Sequence, residues 1–370
     1  MWVNTADSKL CSLPRDPCEE AGTDNRDDSS TSKVVSEGFN ISYADGSGAA
    51  GDYVTDTFRI GSANISDFQF GIGETSSSQR GILGLGYDLN EVQVLSERKD
   101  PYDNLPLKLA ADGHIQSPAY SIYLNDFEAS RGSILFGGVD SSRYEGDLST
   151  LPIQSESGLY QRFLVTLTKV EFGDETVEDD MALAVLLDSG TSITYLPDNM
   201  VADIFERVGA EYSRSEDLAF ISCSARSASE SLRFTFSGAV IEVSMSELVL
   251  DVAGLTRGQS LLDEEEEVCI FGIGPAGEGS NVLGDTFMRS AYVVFDLENN
   301  EISMAQTRAN SSESDVREIT EDGVPGATKV KDPVQATKGL VDGGQAGVSG
   351  RECSVLGAGA AALLVGLTLW

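Results

Sequence analysis

Short runs of alternating apolar and polar residues, broken by Gly, Asp, Asn and Ser, extend from residue 1 to about 308. This period-two alternation between turn residues is typical of half-buried strands. The clearest case is 39–61, FNISYADGSGAAGDYVTDTFRIG, which predicts two strands around a Gly-rich hairpin. Similar runs are 67–73, 120–126, 132–140, 162–173, 233–243 and 291–306. The chain is therefore predicted to be mostly β, with short helices.

Helical periodicity is sparse. The best helix candidates are 104–111, NLPLKLAA, and 198–208, DNMVADIFERV. The second follows Pro197, and we predict that Asp198 or Asn199 caps its N-terminus.

The composition changes after about residue 308. Segment 309–352 has almost no large apolar residues, which predicts a disordered linker. Segment 353–370 ends in about seventeen uncharged residues, SVLGAGAAALLVGLTLW. A hydrophobic terminus after a polar spacer is typical of a GPI-attachment signal, with the attachment residue expected among Asp342, Gly343, Gly344 and Ala346. A plain C-terminal membrane anchor is the alternative.

Charge and histidine content narrow the possible chemistry. The chain has 60 acidic and 25 basic residues, for a formal net charge of −35, which argues against nucleic-acid binding. The charge suits either work at low pH or simple solubility. The single histidine, His114, lies in a turn-like stretch and leaves little basis for a Ser-His-Asp system or a histidine zinc site. General acid–base work is therefore assigned to carboxylates, and no metal or cofactor is expected.

Five cysteines fit no zinc pattern. A Cys11–Cys18 disulfide would close a short loop, and a Cys223–Cys269 disulfide would close a longer one. Cys353 is left over, in a segment expected to be removed.

Three N-x-S/T sequons begin at Asn40, Asn64 and Asn310. They are candidate glycosylation sites. Together with paired cysteines they favour a secreted protein.

One acidic residue lies where catalysis is expected. In LLDSGTS, 186–192, two leucines precede Asp188, and small hydroxylated residues follow it. Gly190 permits a tight turn, and Ser189 and Thr191 are expected to hold the loop by hydrogen bonds. A second motif, VLGDTF at 282–287, places a glycine where another segment could pass close to the backbone. An upstream echo, GILGLG at 81–86, indicates an internal repeat.

Together, LLDSGTS, ISYADGS, GILGLG and NVLGDTFMRSAYVVFD resemble the pepsin-type aspartic proteases over about residues 2–308. The tail and the acidic loops resemble the fungal, yapsin-like, GPI-anchored branch. The resemblance implies a bilobal pepsin-like fold, in which two pseudo-symmetric β lobes around a cleft each donate one catalytic Asp. It predicts an N-terminal lobe at 1–155 and a C-terminal lobe at 156–308.

The resemblance also implies residue roles. Asp188 corresponds to the catalytic Asp of the second lobe, and Cys223–Cys269 corresponds to its disulfide. Substrate contacts are implied for five residues: Tyr43 of a hairpin flap, Asp45 and Gly46 at its tip, and Gly190 and Thr191 beside the acid.

The first-lobe motif, D-T-G-S-S-x-L-W-V, is represented only by its end, Trp2-Val3-Asn4. Asp188 precedes Tyr195 by seven positions (195 − 188 = 7). If Trp2 corresponds to Tyr195, the partner Asp belongs upstream of Met1. We therefore expect an incomplete first lobe and an inactive chain as written, because the nearest acids, Asp7 and Asp16, lack the D-[TS]-G turn. A truly shortened, inactive homologue is the alternative.

The predicted protein is a cell-surface or secreted, monomeric endopeptidase that acts on peptide or protein substrates. The competing interpretation is a catalytically inactive, wall-anchored homologue with a peptide-binding or structural role. Acidic clusters at 178–180 and 263–267 would either favour Lys or Arg near the scissile bond or form solvated surface loops.

Overall fold

The structure, a computed structural model, describes residues 1–15, 17–43, 46–129, 131–251 and 267–340, together with the backbone of 364–369. It contains two compact units, of which the first comprises Met1–Pro118 and the second begins at Ala119. Some predictions lie outside the described residues: those on Asp16, Asp45, 263–266, 342–346 and Cys353.

The first unit is built on one four-stranded sheet. Its strands are β1 (Trp2–Asn4), β2 (Lys33–Ser42), β3 (Gly48–Ile60) and β4 (Ala63–Ser76), and its helices are α1 (Val92–Glu97) and α2 (Leu105–Ala111). The strand order is β1-β4-β3-β2. Strands β2 and β3 are the hairpin predicted at 39–61. Their inward side chains form a small core with β1, made of Trp2, Phe39, Ala49 and Tyr53.

The second unit contains the remaining strands and helices. Its strands are β5 (Ala119–Tyr123), β6 (Arg131–Phe136), β7 (Gly138–Asp140), β8 (Tyr144–Pro152), β9 (Leu164–Leu167), β10 (Lys169–Phe172), β11 (Glu175–Glu178), β12 (Leu183–Leu187), β13 (Thr194–Leu196), β14 (Glu211–Ser213), β15 (Leu218–Ser222), β16 (Ser231–Phe236), β17 (Ala239–Ser244), β18 (Val249–Leu250), β19 (Val268–Phe271), β20 (Ile273–Pro275), β21 (Val282–Leu283), β22 (Ala291–Asp296), β23 (Glu301–Thr307), β24 (Val316–Glu318), β25 (Thr328–Lys329) and β26 (Leu364–Leu369). Its helices are α3 (Asp198–Val208), α4 (Met245–Leu248) and α5 (Asp285–Met288). The strand runs predicted from the sequence all contain strands.

Two sheets of this unit matter for the site. A five-stranded sheet has the order β20-β13-β21-β12-β9, and a seven-stranded sheet has the order β25-β8-β23-β22-β5-β6-β26. Because β5, β6 and β8 share the larger sheet with β22 and β23, residues from 119 onward group with the second unit. The compact units therefore divide at 118/119 rather than at 155/156, and the lobe boundary remains a prediction.

Both predicted helices are present. Asn104 caps α2 by accepting a hydrogen bond from the Leu107 N–H. The capping prediction for α3 was wrong, because the N-cap position is Pro197, which has no side-chain donor or acceptor. Asp198 lies in the first turn, where its Oδ1 accepts a hydrogen bond of 2.9 Å from the Gly277 N–H.

The prediction of a disordered linker was wrong for 309–340. Strand β24 pairs antiparallel with β7, and β25 pairs parallel with β8. The segment lacks an apolar face, so composition suggested disorder. However, side-chain and backbone hydrogen bonds hold it, and Ile319 is fully buried.

The hydrophobic tail is described only at 364–369, which is strand β26. Among the residues that the structure describes, no helix is long and apolar enough to cross a membrane.

Both predicted disulfides are present. Cys11–Cys18 has a Cα–Cα distance of 5.2 Å and closes a loop in the first unit. Cys223–Cys269 joins the residue after β15 to the neighbouring strand β19, with a Cα–Cα distance of 5.0 Å.

Candidate active site

Asp188 follows the last residue of β12, which lies inside the five-stranded sheet. Its strand pairs parallel with β21, placing Leu186 opposite Val282 and Leu187 opposite Leu283. Antiparallel pairing with β9 covers the other edge. Leu187 is buried, whereas Asp188 is half-buried. The buried strand therefore fixes the backbone position at which the carboxylate emerges.

Both carboxylate oxygens of Asp188 accept hydrogen bonds from its own loop. The Gly190 N–H donates to Oδ1 at 2.9 Å, and Thr191 Oγ1 donates to Oδ2 at 2.7 Å. The backbone N–H of Thr191 also donates to the Asp188 carbonyl at 3.2 Å. Ser189, predicted to help hold the loop, is exposed. With a donor on each oxygen, the plane of the carboxylate is fixed before any substrate binds.

Gly284 lies against this loop, in keeping with the expectation that another segment passes close to its backbone. A Cβ at Gly284 would lie 2.3 Å from the Thr191 carbonyl oxygen and 2.5 Å from that of Ile193. The next residue, Asp285, donates its backbone N–H to the Thr191 carbonyl at 2.7 Å. The VLGDTF segment therefore supports the acidic loop through backbone contacts that a side chain at position 284 would prevent.

Thr286 is a supporting residue that sequence reasoning missed. It is fully buried, and its hydroxyl donates to the Gly272 carbonyl at 2.8 Å and accepts the Thr194 N–H at 3.1 Å. It thereby ties α5 to β13 and to the residue before β20. The only sequence signal was a hydroxyl residue directly after the Gly-Asp pair.

Asp285 was also not identified as functional from the sequence. Its Oδ1 is buried and has no hydrogen-bond partner among the described residues. Burial raises the pKa of Asp285 to about 7, opposed by the charge of Arg289 and reinforced by the charge of Asp188. Arg289 itself is buried in an ion pair with Glu247, at 2.6 Å between Nε and Oε2. The positive charge nearest Asp285 is therefore shared with another carboxylate.

The internal repeat is visible in strand pairing. Trp2 pairs parallel with Gly71 and antiparallel with Ile82. Tyr195 pairs parallel with Gly274 and antiparallel with Val282. The two aromatic residues therefore occupy equivalent places in their own sheets, as the sequence alignment of the two halves assumed.

Tyr43 follows β2 and lies at the base of the hairpin turn. Its hydroxyl accepts a hydrogen bond of 2.7 Å from Trp2 Nε1, and its ring packs against the core around Trp2. Its backbone N–H donates to the Ser47 carbonyl at 2.8 Å, and its carbonyl accepts from the Gly46 N–H at 3.0 Å. Gly46 has φ = +77°, a conformation that favours glycine.

The remaining positions singled out from the sequence make local contacts or are exposed. His114 follows α2 and donates its backbone N–H to the Leu109 carbonyl. Asn40, Asn64 and Asn310 are all exposed. Asp179 is exposed and forms an ion pair with Lys169 at 3.8 Å, which favours the surface-loop interpretation of cluster 178–180.

Known proteins are similar to this chain over most of its length. The family model of eukaryotic aspartyl proteases matches residues 1–307. The chain is 48% identical over 358 residues to the probable aspartic-type endopeptidase opsB of Aspergillus oryzae, covering 95% of this chain and 72% of that protein. It is 34% identical over 347 residues to the aspartic proteinase yapsin-3 of Saccharomyces cerevisiae, covering 89% and 65%.

A solved structure also resembles this one. The aspartic proteinase from Irpex lacteus matches with a TM-score of 0.66 and 20% sequence identity, covering 85% of this chain and 89% of that one. That likeness confirms the predicted mostly β, pepsin-like fold. The sequence match over 1–307 and the identity to named endopeptidases lead to one conclusion: the chain belongs to the eukaryotic aspartyl protease family, as an aspartic-type endopeptidase acting on peptide substrates.

Proposed function

We propose that Asp188 is one of the two carboxylates with which this endopeptidase activates water. The observation that supports this role most directly is the pair of hydrogen bonds from Gly190 and Thr191, one to each carboxylate oxygen. A carboxylate used only for solubility would have no need of a fixed plane at the end of a buried strand. The partner carboxylate remains the one predicted from the repeat, seven positions before Trp2.

The chemistry follows from two close carboxylates that cannot both ionise. As is established for this enzyme class, the pair shares one proton. The ionised carboxylate takes a proton from water as the water oxygen attacks the scissile carbonyl. The protonated carboxyl donates a hydrogen bond to the carbonyl oxygen as it becomes tetrahedral. Proton transfer to the leaving nitrogen then breaks the C–N bond, without a covalent intermediate. The two titrate as a unit, so either role belongs to the pair.

Other residues serve binding in this proposal. Gly190 and Thr191 hold Asp188 and border the bound peptide. Tyr43 and Gly46, on the hairpin between β2 and β3, contact the peptide and exclude water, together with Asp45. The Trp2–Tyr43 hydrogen bond would hold the tyrosine ring in one orientation.

We also propose a secreted or cell-surface protein with a GPI anchor and N-glycans. Exposure of Asn40 and Asn64 supports attachment of glycans there. At Asn310, the side-chain amide donates a hydrogen bond to Asp126, which a glycan on the same nitrogen would alter. Mass spectrometry before and after enzymatic deglycosylation would test each position.

The test of the catalytic role uses protein expressed from the complete gene. Cleavage of peptide libraries should be fastest at acidic pH, occur at internal bonds and be blocked by pepstatin. In Asp188→Asn, kcat should fall by about 10²–10⁴-fold, the usual contribution of a positioned general base. The matched control is Asp180→Asn, an exposed aspartate in the same unit, which should leave kcat unchanged. Full activity in Asp188→Asn would refute the assignment.

A further inference from the structure

Residues 309–340, here called the strap, lie beyond the family match at 1–307 and yet form part of the second unit. The strap makes contacts at its start, middle and end. Its final contacts are made to the strand that leads to Asp188.

The start of the strap is attached to the Asp140 carboxylate at the end of β7. The Asp315 N–H donates to Oδ1 at 2.8 Å, and the Ser314 hydroxyl donates to Oδ2 at 3.1 Å. Burial alone would raise the pKa of Asp140, but these and the Ser142 hydrogen bonds outweigh it and lower the pKa. The carboxylate is thus ionised and able to accept these hydrogen bonds in mildly acidic solution.

The middle of the strap packs on the seven-stranded sheet. Ile319 is fully buried in the hydrophobic core on this sheet, and Val324 and Ala327 pack against that core. Strand β25 then runs parallel to β8, and the Val330 N–H donates to the Thr150 carbonyl at 3.0 Å. These contacts fix the path of the chain toward the five-stranded sheet.

The end of the strap pairs with the start of β12. The N–H groups of Thr337 and Lys338 donate to the Ala182 carbonyl at 2.8 and 3.1 Å. In return, the Ala184 N–H donates to the Lys338 carbonyl at 2.8 Å. On this edge of β12, strand β21 pairs only with Leu186 and Leu187. The strap therefore completes the part of the edge that β21 leaves uncovered.

We propose that strap residues Thr337–Gly339 are positioning residues for catalysis, because they hold the first half of the strand whose end presents Asp188. This inference rests on the proposed role of Asp188. The strap holds Ala184, and only three residues of the same strand separate Ala184 from Asp188. Because strand backbone transmits displacement along its axis, loss of the strap should loosen the acid's support. A misplacement of about 1 Å at a catalytic group can cost about 10²-fold in rate.

Two glycines of the strap provide a matched pair of variants. Gly339 has φ = +77°, and a Cβ there would lie 2.7 Å from the Ala184 carbonyl oxygen. Gly323 has φ = +101°, and a Cβ there would meet nothing within 4 Å. Gly339→Ala therefore combines backbone strain with a clash against β12, whereas Gly323→Ala imposes the strain alone.

A second pair keeps the proposal testable if Gly339→Ala does not fold. Thr337→Pro removes the N–H that bonds Ala182, whereas Thr337→Ala retains it. Both change the same exposed position.

The two readouts are amide hydrogen exchange of Ala184 and Leu186, and kcat and KM measured per active site titrated with a tight-binding inhibitor. In Gly339→Ala and Thr337→Pro, we expect exchange at Ala184 to rise at least about tenfold and kcat to fall several-fold, with KM nearly unchanged. Gly323→Ala and Thr337→Ala should match wild type in both readouts. A purely structural role would lower stability without changing kcat per titrated site.

Wild-type exchange and kcat in Gly339→Ala and Thr337→Pro would overturn the proposal, as would faster exchange with unchanged kcat. If wild-type enzyme expressed from the complete gene were inactive, that result would instead refute the proposed function. The exchange data would still report whether the strap holds β12.

Discussion

Asp285 lies in an environment that disfavours its charged form. Its Oδ1 is buried and has no hydrogen-bond partner in the described part of the chain. Asp188 adds negative charge nearby, and Arg289 also forms an ion pair with Glu247. Burial, the largest of these effects, raises its pKa to about 7. The neutral form is therefore favoured in the folded protein throughout the acidic range.

This raised pKa predicts how stability changes with pH. An unfolded aspartate has a pKa near 3.9. Between about pH 4 and pH 7, Asp285 would therefore be ionised in the unfolded chain but protonated in the folded protein, which disfavours folding. The contribution of Asp285 to stability is fully present below about pH 4 and is lost as pH rises toward 7. From pH 4 to pH 7, the free energy of unfolding of Asp285→Asn should fall by on the order of a few kcal/mol less than that of wild type.

Urea denaturation of wild type and Asp285→Asn at pH 4, 5.5 and 7 provides the measurement. Comparing the two proteins cancels the titration of the other carboxylates. Parallel pH dependence in both would show that Asp285 ionises normally.

At the scale of secondary-structure elements, the loop after β12 and the segment from β21 to α5 are in direct backbone contact. Gly284 makes this possible, since a Cβ would lie 2.3 Å from the Thr191 carbonyl oxygen. Its counterpart in the repeat, Gly84, has nothing within 4 Å of an added Cβ. The two glycines thus have the same sequence context but different packing.

Gly284→Ala should therefore destabilise the protein by about 1–3 kcal/mol, the usual range for overpacking, and should lower activity by displacing the Asp188 loop. Gly84→Ala serves as the control and should leave the free energy of unfolding nearly unchanged, because an added Cβ there meets nothing within 4 Å. Neither glycine has positive φ, so backbone strain does not distinguish the two variants. Thermal denaturation and peptide cleavage measure both effects. Equal stability of the two variants would show that the loop yields to an added methyl group.

At the scale of the whole molecule, the described residues of each compact unit contain one disulfide. Cys11–Cys18 spans 7 residues of sequence, and Cys223–Cys269 spans 46. From loop-closure entropy, the shorter link should contribute roughly 2–3 kcal/mol and the longer about 4 kcal/mol. Replacing both members of each pair by alanine should thus reduce stability more for Cys223 and Cys269. Calorimetry of the two double variants would test this, and a larger loss for Cys11 and Cys18 would contradict it.

Local patterns predicted much of this molecule. Alternating residues predicted the strands, and the Asp-Ser-Gly turn predicted the acidic loop. The resemblance to pepsin-type aspartic proteases implied the Cys223–Cys269 disulfide. Gly284 was predicted as a point of close approach because glycine has no side chain to keep another segment from its backbone. The predictions of the strands, the acidic loop and Gly284 each depend on residues near one another in the sequence.

The features that sequence did not predict depend on long-range contacts. The strap has few apolar residues, so nothing in its composition indicated that Asp140, more than 170 positions earlier, would accept its hydrogen bonds. The raised pKa of Asp285 likewise arises from burial and from the charge of Asp188, and the VLGDTF segment by itself shows neither. The cap of α3 was misassigned because Asp198 bonds Gly277, a residue distant in sequence.

The central claim is that the Asp188 carboxylate takes part in the chemical step. The most direct measurement is the single-turnover rate of peptide cleavage with enzyme in excess, for wild type and Asp188→Asn, alongside the dissociation constant of the uncleaved peptide. The account predicts a rate lower by about 10²–10⁴-fold with peptide affinity largely retained. A rate within a few-fold of wild type would contradict it.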